Sequence, residues 1–93
     1  MLTILKYSVT LAGFNDVTKV VMPKNAKILT VGAQGNDVCI WAEVQSDEED
    51  VIRSFEMFGT GHEMDYGRCI KREYLGSAFI ESGFVIHVYE RVK

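Results

Sequence analysis

Apolar and polar residues alternate along most of the chain, the period of strands that bury one face. Leu5, Tyr7, Val9 and Leu11 alternate with Lys6, Ser8 and Thr10, which predicts a short amphipathic first strand ending at the turn Gly13-Phe14-Asn15-Asp16. A second strand is expected through Val17, Val20 and Val21. It stops at Met22-Pro23-Lys24-Asn25, where the proline ring fixes φ and asparagine tolerates the left-handed region. The clearest local signal follows: Lys27 to Ala33 and Val38 to Val44 flank Gln34-Gly35-Asn36-Asp37, a hairpin with Val38, Ile40, Ala42 and Val44 facing inward. Trp41 falls on the opposite face with Cys39 and Glu43, either covered by a second layer or open for contact.

Val51 to Phe58 predicts a fifth strand, with Phe55 and Met57 on one side and Ile52 and Phe58 on the other. A turn at Gly59-Thr60-Gly61-His62 and a polar loop from Glu63 to Arg68 come next, then a last hairpin of Cys69 to Phe79 and Phe84 to Val92, joined near Glu81-Ser82-Gly83. No stretch keeps a helical period for three turns. The expected fold is all-β and mainly antiparallel, a small sandwich or open barrel of about seven strands. Residues 1–93 are read as a single β-rich domain. At this size folding hides only about 60 to 65% of the surface of the extended chain, so association into a homo-oligomer is expected to help.

Thirteen acidic against ten basic side chains give a formal net charge of -3, which argues against broad electrostatic binding to nucleic acid or an anionic membrane. Lys71-Arg72, with Arg68 three residues upstream, is the segment from which a phosphate-binding surface would draw, and otherwise a charged strand edge. The two cysteines, Cys39 and Cys69, fit no zinc or redox spacing and read as reduced packing residues. The acidic run Asp47-Glu48-Glu49-Asp50 lacks the alternation and the bend glycine of a calcium loop, so it reads as a solvated tip and no metal or other cofactor is expected. Met1 to Lys6 has neither the layout of a secretion signal nor the length to cross a bilayer, so the expected site of action is inside a cell.

Chemistry concentrates at Phe58-Gly59-Thr60-Gly61-His62. Two glycines free the backbone to converge N–H groups on an anion, Thr60 adds a hydroxyl and His62 a titratable ring, with Arg68 or Arg72 adding charge if the loop folds back. The alternative is a tight connection with no ligand. A nucleotide-hydrolase phosphate loop is excluded, since no lysine and no helix follow Gly61. His87 alternates with Val85 and Tyr89 and reads as a satisfied core or interface histidine; approach of His62 to His87 would make a proton-transfer pair conceivable. There is no nucleophile elbow, and no catalytic residue is assigned.

The segments Met22-Pro23-Lys24-Asn25-Ala26-Lys27-Ile28-Leu29, Trp41-Ala42, Phe58-Gly59-Thr60-Gly61-His62, Tyr74-Leu75-Gly76 and Val85-Ile86-His87-Val88-Tyr89-Glu90 resemble the pattern of a family of short bacteriophage and prophage proteins of unknown function. The family pattern has glycine where this chain has Asn25, and both accept a positive φ. The resemblance implies a phage origin and an all-β fold, and it transfers no activity; with the amino-terminal reading above, the expected location is the host cytoplasm. Together these readings lead to the expectation of a binding module that sequesters an anionic small molecule, such as a nucleotide-derived host-defence signal, through Gly59, Thr60, Gly61, His62, Arg68, Arg72 and Trp41. The alternatives are a module that inhibits a host protein by strand addition or through an aromatic patch around Trp41 and Tyr74, and a small hydrolase using His62 and His87.

Overall fold

Each alternating stretch forms a strand. The computed structural model describes residues 1–10, 17–64 and 70–92, and its strands are β1 (Leu2–Ser8), β2 (Val17–Pro23), β3 (Lys27–Gln34), β4 (Asp37–Gln45), β5 (Asp50–Gly59), β6 (Lys71–Phe79) and β7 (Val85–Val92). They make two antiparallel sheets, one ordered β1-β4-β3 and one ordered β2-β5-β7-β6. The all-β, mainly antiparallel fold of about seven strands expected from the alternation is therefore what the chain adopts, as two sheets of three and four strands. Leu11, the turn at residues 13–16, and Arg68 and Cys69 lie outside the described residues.

Period-two patterning decides which face is buried. Val38, Ile40, Ala42 and Val44 of β4 point inward and meet Phe55 and Met57 of β5 and Ile86 and Val88 of β7, all at most 2% exposed. Val9, Met22, Ala26 and Ala78 also belong to this core. The β3–β4 turn is tighter than the four residues read from sequence, because Gln34 pairs with Asp37 and leaves only Gly35-Asn36 as the connection. Gly35, the first central residue, takes a positive φ of 64°, the choice that suits a two-residue hairpin. The proline turn forms as expected, with Asn25 at φ 66° and the Ala26 N–H donating to the Pro23 carbonyl at 3.2 Å.

Two irregularities shape the second sheet. Leu75 is an extra residue in β6: Tyr74 pairs with Tyr89 and Gly76 with Val88, so the bulge sets Ser77 opposite His87 on the outer face. Where β3 passes β6, a Cβ at Gly76 would lie 3.2 Å from the Val31 Cβ, and the missing side chain is what lets the two edges meet.

Trp41 is half-buried on the outer face of the three-stranded sheet, its ring laid over Gly32. A Cβ at Gly32 would stand 3.1 Å from the ring. Gly32→Ala should therefore lift the indole into water and shift its emission to the red, while stability changes by about 1 kcal/mol or less because the ring is only partly enclosed. Unchanged emission would mean that the ring does not rest on Gly32.

Candidate functional site

Strand β5 ends at Gly59 and the chain turns back through Thr60-Gly61-His62, with Gly61 at a φ of 86°. The turn closes on itself. The His62 N–H donates to the Gly59 carbonyl at 3.0 Å, the Gly59 N–H donates to His62 Nδ1 at 3.1 Å, and the Thr60 N–H continues the ladder to the Val85 carbonyl at 3.3 Å. Because Nδ1 accepts, the neutral His62 ring carries its proton on Nε2. The amides of Gly59, Thr60 and His62 thus do not converge on a guest, which corrects the backbone-nest expectation: the pairing of β5 with β7 and the His62 ring take the donors that an anion would have used.

The turn instead presents side chains. Thr60 Oγ1 lies 2.8 Å from His87 Nε2, His87 Nδ1 lies 2.8 Å from Ser77 Oγ, and Ser77 Oγ lies 2.6 Å from the Tyr74 hydroxyl. His87 is satisfied as read from sequence, though by hydroxyls on the outer face and not by the core. His62 and His87 line one cleft of about 270 Å³ with Phe58, Met64 and Tyr89. A second cleft, of about 450 Å³, runs between Gly59, Thr60 and His62 on one side and Gly83, Phe84 and Val85 on the other. Among the described residues, no lysine or arginine lines either.

Charge lies further along the same face. The ladder register places Lys19, Ser54, Arg91 and Arg72 side by side in one row across β2, β5, β7 and β6. Above this row opens a cleft of about 500 Å³ lined by Lys19, Ser54, Lys71 and Arg91 with the apolar groups of Val17, Ile70 and Val92. Arg72 turns to the buried Glu56, whose Oε1 sits 2.8 Å from Arg72 Nε and 3.0 Å from Arg91 Nε. The Arg72 guanidinium also lies 5.3 Å from the centre of the Phe58 ring, which stacks edge-on against Tyr89. Burial alone would raise the Glu56 carboxyl, but the hydrogen bonds and charges of the two arginines outweigh it and hold it below the usual range.

The predicted site residues therefore separate. Gly59, Thr60, Gly61 and His62 come together with His87, an approach the sequence reading had left open. Arg72 serves Glu56 and Phe58, and Arg68 lies outside the described residues. Trp41 is on the outer face of the other sheet, opposite Tyr74 across the sandwich, so these two form no common patch. The sequence reading missed Lys19, Ser54 and Arg91, which come from three strands and meet only through register. It also missed Ser77, for which the spacing Tyr74-x-x-Ser77 before a bulge is the available signal.

No curated protein and no solved structure matches the chain. A family model does match, across residues 1–93, and the chain belongs to that family, described as a domain of unknown function (DUF7352).

Proposed function

We propose that the protein is a small accessory binding module of phage type that holds an anionic small molecule, such as a nucleotide-derived host-defence signal, in the cleft lined by Lys19, Ser54, Lys71 and Arg91. What supports this is the composition of that cleft: among the described residues its lining holds three cationic side chains and a hydroxyl and no carboxylate, on a molecule whose overall charge is negative. A phosphate there would meet two ammonium groups and a guanidinium, while Ser54 would supply a neutral donor and Val17, Ile70 and Val92 an apolar wall. The GTGH turn, with the amides of Gly59, Thr60 and His62 engaged, acts in this reading as the rigid closure of β5 against β7.

Calorimetric titration with inorganic phosphate, mononucleotides and a cyclic dinucleotide tests the proposal. Binding should weaken at least tenfold in the Lys19→Glu/Lys71→Glu variant and on raising salt from about 50 to about 300 mM, since exposed charges are screened within a Debye length. The idea fails if no compound releases heat, or if the double charge reversal leaves affinity unchanged. The protein-contact alternative draws on different side chains, Phe79 and Phe84, which are 78% and 66% exposed at the end of the β6–β7 hairpin.

A further inference from the structure

The Thr60–His87 contact is a nucleophile held against a base, at the opposite end of the face from the cationic cleft and independent of it. We propose that Thr60 and His87 carry acyl transfer on small esters whose acyl group is apolar, with Ser77 and Tyr74 positioning the base. Thr60 is exposed and borders both clefts at the turn, so its Oγ1 is open to a carbonyl carbon from solvent. The larger cleft is walled by Phe84, Val85 and Ile86 and, among the described residues, lined by no lysine, arginine or carboxylate, which fits a short hydrocarbon chain.

The hydrogen-bond chain has a direction that suits a base. With the His87 proton on Nδ1, the ring donates to Ser77 Oγ at 2.8 Å, Ser77 donates to the Tyr74 oxygen at 2.6 Å, and Nε2 is left to accept from Thr60 at 2.8 Å. The ring is pinned at both nitrogens, so the bond to Thr60 needs no reorganisation.

Thr60 Oγ attacks the ester carbonyl and forms a C–O bond while its proton passes to His87 Nε2. Collapse breaks the bond to the alcohol, which leaves with the proton from Nε2, and Thr60 is left acylated. Water then attacks, gives its proton to His87, and Thr60 departs with that proton as the acid forms. The net reaction is ester and water to acid and alcohol, with His87 returned neutral. Both steps pass through the same imidazolium, so an ester whose leaving group is much better than the Thr60 alkoxide acylates Thr60 faster than the acyl group is hydrolysed, and acyl-Thr60 should outlive the first step.

The full chain is incubated with p-nitrophenyl butyrate, and its intact mass and peptide map are followed over time. One butyryl group is expected on Thr60. It should be absent in Thr60→Val, present in Thr60→Ser, and formed about 100-fold more slowly in His87→Gln, the usual loss on removing a general base. Ser77→Ala should slow acylation and shift its pH midpoint, which loss of a merely structural contact would not do. Circular dichroism of each variant separates misfolding from lost chemistry, and Thr60→Ser keeps the test decisive if Thr60→Val unfolds. No acylation of the wild-type protein, acylation at Cys39 or a lysine alone, or an unchanged rate in His87→Gln would each overturn the proposal.

Discussion

Arg53→Met should lower stability by about 3 to 5 kcal/mol, the usual cost of leaving one member of a buried ion pair without its partner. Arg53 points inward from β5, two residues before the core residue Phe55, and Glu90 points inward from β7 directly opposite Phe55. The pair is bidentate, with Nε to Oε2 at 2.6 Å and Nη2 to Oε1 at 2.7 Å, and the third nitrogen, Nη1, donates to the Ala26 carbonyl at 2.6 Å. With a side chain only 9% exposed, Glu90 has little access to bulk water once Arg53, itself 22% exposed, is removed. Methionine fills much of the volume, so the loss reports the stranded Glu90 carboxylate and the unpaired Ala26 carbonyl more than a cavity. The Arg53→Met/Glu90→Leu double variant should recover at least half of it, because apolar groups of similar size leave no uncompensated charge. Urea midpoints of the wild type, both single variants and the double variant close the cycle. A loss under about 1 kcal/mol in Arg53→Met would mean that the pair behaves as a solvated surface contact.

That pair marks where sequence patterning stops being informative. The core-facing positions of β4 and β5 were readable because they carry apolar groups at period two, as at Val38, Ile40 and Ala42 or at Phe55 and Met57, whereas the burial of Glu56 and Phe58 on the other face was not. Arg53 and Glu90 occupy inward positions with polar side chains, and only their meeting across the β5–β7 ladder makes this tolerable. The site divides in the same way. That a glycine-rich turn follows Phe58 was legible, since Gly61 answers a local need for positive φ, but the direction of its amides was set by Val85, 25 residues further along the chain. The row Lys19, Ser54, Arg91 and Arg72 needs the order β2-β5-β7-β6, in which no neighbouring pair but β6 and β7 is consecutive in sequence. Trp41 and Tyr74 both looked available from their flanks, and only assignment to different sheets put them on opposite sides. Ser77 meets His87 because Leu75 bulges; a regular ladder would have set Gly76 there.

Glu56→Gln should destabilise the fold by about 3 kcal/mol and at the same time strengthen anion binding in the Lys19–Arg91 cleft. Glu56 is 4% exposed, and its single carboxylate is shared by Arg72 and Arg91, the second of which lines the cleft. Glutamine keeps an acceptor and the shape but removes the charge, so the two guanidiniums face each other with no counter-ion. A bound phosphate would then supply part of what Glu56 supplied, and calorimetry at low salt should find its affinity raised severalfold. Acid has a related effect on the wild type. A carboxyl whose folded value lies below its unfolded one gives stability that is complete above the unfolded range, near pH 4.3, and is lost as pH falls through the folded value. Asp37 adds to the same acid loss, since the Ser8 and Thr10 hydroxyls hold its carboxyl below the usual range. The wild type should therefore weaken steadily below about pH 4.5, whereas Glu56→Gln, already without that contribution, should show a shallower slope, with the remainder belonging to Asp37. Urea unfolding at pH 7 and at steps down to about pH 3 measures both, and parallel pH slopes for the two proteins would show that Glu56 is not held charged by its arginines.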